Sequence, residues 1–225
     1  MIIAIDGPAA SGKSSTASGV AGELGFRHID TGAMYRAITL KLIREQVDLK
    51  LETHVQKVLD KLDLEVDFSH DAQELILDGV TLGEEIRSPE VTAKVADVSA
   101  MKAVRNHLLG IQRGVAETHD VVLEGRDIGT VVFPDAEVKI YMVADSRVRA
   151  LRRQKDFARQ GIEKSLDELE REILARDAHN AQRKLAPMKP AEDAILLDTT
   201  ELSIEDQIKF IVSRVETIKS NGGTN

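Results

Sequence analysis

With 225 residues, 42% hydrophobic and 30% charged, the chain has the make-up of an ordinary globule that can bury one sizeable core plus a small inserted subdomain. A formal net charge of −8, 3% aromatic content and no Trp argue against a nucleic-acid partner, which needs a basic footprint or stacking platforms. Zero cysteines exclude disulfides, thiolate catalysis and Cys-ligated zinc; they fit a reducing cytoplasm, the expected location, and no stretch has the length of a membrane span.

In chain order, Ile2–Asp6 opens as an apolar, β-branched run that reads as a buried strand, too short for a signal peptide and interrupted at once by Asp6. It runs into Gly7-Pro8-Ala9-Ala10-Ser11-Gly12-Lys13-Ser14-Ser15, the G-x-x-x-x-G-K-S phosphate loop, and Lys13–Leu24 reads as the helix that must follow it. In that context the loop's N–H groups and the helix N-terminus face the β/γ-phosphates of a nucleoside triphosphate. Lys13 adds a point charge there, and the Ser14 hydroxyl is placed to ligate Mg²⁺.

Arg27–Ile29, Val121–Glu124, Val138–Val143 and Ile195–Leu197 are the further sheet strands, alternating with helical stretches as in a parallel sheet. Thr31–Gln46 reads as a helix capped by Asp30 or Thr31, and Pro89–Ala100 and Lys102–Thr118 as two more joined by a bend. Leu64–Phe68, Glu74–Leu77 and Val80–Leu82 alternate apolar and polar residues, with turn signals at Ser69–Ala72 and Asp78-Gly79. They predict a small antiparallel meander, which is either a decorative insertion or a subdomain over a second substrate. Ser146–Gln160 reads as a basic helix, and Ser165 with Glu168 forms a capping box for a helix running to about Ala181. Ile204, Ile208, Ile211, Val212, Val215 and Ile218 form an apolar stripe at helical spacing, which is core packing. After Lys219 the chain reads as a disordered tail, residues 221–225.

The loop alone does not choose among motors, GTPases and kinases. The chain lacks the Asn-Lys-x-Asp sequence by which a GTPase reads its base. A small-substrate kinase needs a second anion site. Arg36, on the helix opening at Asp30, and Arg126, just past a strand end, stand where residues of a parallel sheet face the ligand crevice. Glu124, ending the same strand, reads equally as a carboxylate holding a water on Mg²⁺ or as a helix cap.

Five blocks then carry a resemblance: Ile5-Asp6-Gly7-Pro8, Asp30-Thr31-Gly32-Ala33-Met34-Tyr35-Arg36, Gly125-Arg126-Asp127-Ile128-Gly129-Thr130-Val131-Val132-Phe133-Pro134-Asp135-Ala136, Arg176-Asp177, and Leu197-Asp198-Thr199-Thr200 with Leu202-Ser203-Ile204. Over nearly its whole length the chain resembles the bacterial cytidylate kinases. The resemblance implies an α/β fold: a phosphate-loop parallel sheet of about five strands flanked by helices, a small antiparallel insert in the monophosphate-binding region and a helical lid. The expected division is a single kinase domain over 1–220, with core 1–30, 102–146 and 190–220, monophosphate region 31–101 and lid 147–189.

It also implies ATP and Mg²⁺ at the loop and CMP or dCMP as acceptor, with no membrane partner; a monomer is expected. Lys13 and the lid arginines Arg152 and Arg153, with Arg149 beside them, then stabilise the transferred group. Arg36 and Arg126 match positions holding the acceptor phosphate, and Thr31 and Tyr35 belong to the same acceptor block. Arg105 and Asp127 match positions around the cytosine ring, and Arg176 and Arg183 match arginines on the acceptor side. Two departures bear on the choice between CMP and dCMP: Ala96 stands where some members have a serine, although Ser99 is near. Asn180 stands where the family has a ribose-side carboxylate. Rival readings are a kinase for UMP or another small phosphorylated metabolite, and a non-catalytic nucleotide-binding module. An acceptor panel separates all three.

Overall fold

A computed structural model describes residues 1–68, 73–159 and 161–222. The expected turn at Ser69–Ala72, Gln160 at the end of the basic helix, and residues 223–225 of the expected tail lie outside the described residues. In chain order the elements are β1 (Ile2–Asp6), α1 (Lys13–Leu24), β2 (Arg27–Asp30), α2 (Thr31–Arg44), α3 (Glu52–Leu59), β3 (Leu64–Asp67), β4 (Glu74–Leu77) and β5 (Val80–Thr81). They continue with α4 (Pro89–Val98), α5 (Lys102–Thr118), β6 (Val121–Gly125), β7 (Val138–Val143), α6 (Ser146–Arg159), α7 (Leu166–Ala181), β8 (Ile195–Asp198) and α8 (Ile204–Gly222). A 3-10 turn spans Glu84–Arg87, and a π-helical turn spans Ile128–Val132.

The chain divides into two compact units, Met1–Phe26 with Val121–Asn225, and Arg27–Asp120. The first carries four strands of a five-stranded sheet in the order β6-β1-β7-β8; β2, its fifth, is counted in the second. β1 pairs in parallel with β6 on one side and β7 on the other, and β7 with β8. A central strand is buried on both faces, which explains why β1 is an unbroken Ile-Ile-Ala-Ile run rather than an alternating one. Ile3, Ile5, Val122, Ile140 and Met142 pack with Val20 of α1 and with Ile211 and Val215 of α8. The α8 stripe is therefore core packing at its centre, while its ends, Ile204 and Ile218, are exposed. That helix also runs on to Gly222, past the expected break at Lys219. A satellite cluster of Ala150, Leu169 and Ile173 joins α6 to α7, and Ser165 caps α7 by accepting from the Glu168 N–H at 3.2 Å.

The second unit packs α2 against α4 and α5, and α5 against α3. Met34, Ile38 and Leu42 of α2, Leu59 of α3, Val98 of α4 and Leu108 of α5 are its buried side chains of helical spacing. The expected antiparallel meander is present as a three-stranded sheet in the order β3-β4-β5, and Lys41 of α2 is paired with Asp78 in its tight turn at 2.8 Å. Helix α5, expected in the core region, belongs to this unit. Helix α3 has no counterpart in the expected elements. It is two turns long, has no side-chain cap, and buries only Val55, Val58 and Leu59, too little pattern to read locally. Among the described residues, no helix is long and apolar enough to cross a membrane.

Candidate active site

In the first unit the phosphate loop leaves the carboxyl end of β1 under tight steric limits. Gly7 has φ +146°, and a Cβ there would stand 2.2 Å from the Met142 carbonyl oxygen of β7; only glycine fits. Gly12, at φ +99°, closes the loop and opens α1 as its cap. The loop is braced from within: the Ser11 hydroxyl donates to the Pro8 carbonyl at 3.1 Å, and Lys13 Nζ donates to the same carbonyl at 2.6 Å. From outside, the Thr199 hydroxyl donates to the Ser11 carbonyl at 2.8 Å. Gln207 of α8 accepts from the Thr16 hydroxyl at 2.6 Å.

Lys13 is 5% exposed. Its burial, and then the Arg126 charge, hold the ammonium well below the usual lysine range, against the opposing pull of Glu124 and Asp6. Arg126 thus acts on Lys13 as a like charge. Ser14 is exposed and its hydroxyl donates to Glu124 Oε2 at 2.8 Å. This oxygen pair, one hydroxyl and one buried carboxylate beside a phosphate loop, fits Mg²⁺, a hard cation that keeps several waters and takes few protein ligands. Among the described residues no group of three His, Asp or Glu side chains forms a metal cage.

Arg126 and Asp127 follow β6, half-buried and buried respectively. The Arg126 guanidinium donates to the Gly125 carbonyl at 3.1 Å. The carboxylate of Asp6 accepts from the Ile128 and Gly129 N–H groups, both at 2.8 Å, and so holds the turn that begins right after them. Burial pushes the Asp6 carboxyl up to about 6, against those two hydrogen bonds and with a further push from the Asp127 charge. A pKa above its unfolded value of 3.8 means that the folded chain binds the extra proton between about pH 4 and 6. This group therefore costs nothing below that window, destabilises increasingly as pH rises through it, and costs a constant amount of about 3 kcal/mol above it. Urea unfolding of wild type and Asp6→Asn from about pH 4 to 7 measures this: the wild type should lose that much relative to the variant. Parallel profiles would refute it.

The α6 and α7 arginines divide. Arg149 is buried and ion-paired with Asp177; it also donates to the Ala9 carbonyl at 3.3 Å and, through Nε, to the Ala144 carbonyl at 3.0 Å. Asp177 in turn accepts from the Ala9 N–H at 3.4 Å. Arg152, expected to face the transferred group, donates to the Ser11 carbonyl at 3.3 Å and to Thr199, hydroxyl at 3.1 Å and carbonyl at 2.5 Å. It braces the loop from the β8 side. Arg153 lies over the Phe157 ring, 4.5 Å from its centroid. Arg176 and Arg183 are half-buried and Asn180 is buried.

The remaining expected residues lie in the second unit. Asp30 caps α2, accepting from the Ala33 N–H at 2.9 Å, and the buried Thr31 follows it. Arg36 Nη1 sits 3.1 Å from where a Cβ on Gly32 would stand, so its guanidinium folds back onto the first turn of the helix. Arg105 of α5 lies over the Tyr35 ring, 5.7 Å from its centroid, and donates to the Ser99 carbonyl at 3.3 Å. These two candidates, 70 positions apart by number, are thus brought together. Sequence reasoning attached no role to Asp6, Asp177 or Tyr141. Tyr141, buried on β7, has its phenol pushed up by burial and then by the Asp6 charge. The sequence does carry a signal for Asp6: it is a charge ending an otherwise apolar strand.

A family model for cytidylate kinase matches residues 3–217. The cytidylate kinase of Acholeplasma laidlawii (strain PG-8A) is 44% identical over 217 residues, 96% of either chain. That of Pediococcus pentosaceus is 44% identical over 214 residues, 95% of either chain. Among solved structures, an uncharacterized protein from Eubacterium ventriosum superposes with a TM-score of 0.53 at 12% identity, covering 96% of this chain and 99% of that one, which speaks to the fold alone. Together with the phosphate loop, its buried lysine and the neighbouring arginine, the relationship settles the class: the chain belongs to the cytidylate kinase family and is a nucleoside monophosphate kinase.

Proposed function

We propose that the chain transfers the γ-phosphoryl group of ATP to the 5′-phosphate of CMP, and of dCMP, releasing ADP and CDP or dCDP. The observation that carries this reading is the placement of two cations at one strand-end crevice: Lys13 buried within the phosphate loop after β1, and Arg126 directly after the neighbouring β6. Arg126 is the largest charge acting against the lysine, an arrangement that makes sense when anions occupy both positions. A phosphate oxygen of CMP forms the new P–O bond while the bond to the ADP oxygen breaks. That oxygen is already anionic near neutral pH, so no general base is required. Positioning and charge neutralisation remain as the protein's task. Lys13 neutralises the transferred group, and Arg126 with Arg36 holds the acceptor phosphate. Ser14 and Glu124 would hold Mg²⁺, which, when bound, neutralises charge on the β/γ-phosphate oxygens.

In this reading the Arg27–Asp120 unit takes the monophosphate, α6 and α7 serve as the lid, and Arg153 is their arginine for the transferred group. Arg149 and Arg152 hold the loop in place. Arg105 and Asp127 read the base, with Thr31, Tyr35, Arg176, Asn180 and Arg183 completing the acceptor side. ADP release measured with ATP and a panel of CMP, dCMP, UMP, AMP and GMP tests the whole. Activity confined to UMP, or absent with every acceptor, would sink it.

Asp127 carries the choice of base. A carboxylate accepts from the exocyclic amine of cytosine and repels the carbonyl at that place in uracil. Asp127→Asn is expected to relax the CMP/UMP ratio of kcat/KM by about 1–3 kcal/mol, roughly 5- to 200-fold. A general loss that leaves the ratio unchanged would make Asp127 a structural residue.

A further inference from the structure

Asp6 is costly where it stands. It is 5% exposed, in the last position of the central strand, and a buried carboxylate is retained only where its oxygens are used. Here both are used on one short segment: Oδ1 accepts from the Ile128 N–H and Oδ2 from the Gly129 N–H. Those N–H groups open the turn Ile128–Val132, so the carboxylate acts as its cap. The strand register places Asp6 directly across from Gly125, the residue before Arg126. On the other side Asp6 is joined to Gly7, where the phosphate loop starts. A single residue therefore ties the start of the loop to both ends of the Arg126-Asp127 dipeptide, through strand pairing at Gly125 and through its side chain at Ile128 and Gly129. Gly129 is shaped for the contact: a Cβ there would meet the Lys139 stem at 3.3 Å and Asp6 Oδ2 at 3.5 Å. The residues of the turn, Ile-Gly-Thr-Val-Val, have no helical preference of their own, so the conformation depends on this tether.

We propose that Asp6 is a positioning residue for the acceptor: through the Ile128 and Gly129 amides it sets where Arg126 and Asp127 stand relative to the phosphate loop. The inference rests on the assignment of Arg126 and Asp127 to the acceptor made above. Two oxygens are essential to it, since an amide in the same place offers one acceptor and turns its NH₂ toward the second N–H. Asp6→Asn should therefore raise the KM for CMP by about tenfold or more and narrow the CMP/UMP preference. The affinity for ATP alone, measured by calorimetry without acceptor, should change less than about threefold. Asp6→Glu keeps both oxygens but pushes the turn outward by one methylene. It should show the same split, and it carries the test if the Asn variant does not fold. Equal loss of ATP affinity and CMP use in the folded variant would mean that Asp6 merely supports the loop, and the proposal falls. Unchanged CMP kinetics overturns it as well. A wild type that phosphorylates no monophosphate overturns both this inference and the proposed function. A wild type that prefers another monophosphate overturns only the choice of CMP, and the same split is then read on that acceptor.

Discussion

Replacing Lys13 by alanine is expected to lower kcat by at least about 100-fold while the chain stays folded. In the proposed reaction the lysine neutralises the charge that spreads over the transferred oxygens, and removing one preorganised charge or donor of this kind typically costs two to three orders of magnitude. Its burial does not make it a structural linchpin. Burial and the Arg126 charge already act against its protonated form, so deletion relieves a strain as well as removing a donor. The Pro8 carbonyl, which receives the Nζ at 2.6 Å, also receives the Ser11 hydroxyl and keeps that partner. The checks are kcat at saturating ATP and CMP, and a thermal melt of both proteins. A variant that kept more than about a tenth of the wild-type kcat would remove the loop lysine from the chemistry, because about 1.4 kcal/mol is too little for such a role.

Arg126→Ala is expected to separate the two substrates. Truncating a charged partner of a buried phosphate contact costs about 2–5 kcal/mol, so kcat/KM for CMP should fall by roughly 30-fold or more. Affinity for ATP without acceptor should stay within about threefold. One further consequence follows from the charges: without Arg126, the Lys13 ammonium loses its strongest charged opponent and should titrate higher. Equal losses on ATP and CMP would place Arg126 on the donor side and break the acceptor assignment, whatever the state of the lysine.

Both experiments probe residues legible in the amino-acid sequence, but in different degrees. The phosphate loop is a local object. Its glycines answer to φ values and to one close approach, and the apolar run before it and the helix after it are set by neighbouring residues. The caps of α2 and α7 are equally local, a side chain bonding an N–H three residues on. The Ile2–Asp6 and Val138–Val143 strands and the Lys13–Leu24 and Lys102–Thr118 helices accordingly match the reading residue for residue. Arg126 was found by position, as the residue after a strand, which is one step less local.

What the sequence by itself determined is thus the phosphate loop, which short-range sterics and periodicity specify wherever it occurs, and the class of protein, through the blocks that carry the resemblance. The tertiary structure decided which charged groups stand with which partners. Arg149 and Arg152 look alike from outside, two arginines on a basic helix, yet one is paired with Asp177 from another helix and the other with Thr199 beyond β8. Ile128–Val132, for which the sequence gives no element, is wound into a turn held by a carboxylate 122 positions away. Helix α3, too short to announce itself, exists because α5 covers its apolar side. In each case the deciding energy comes from a partner distant along the chain, and a side chain's own identity does not say which oxygen or carbonyl will be waiting for it.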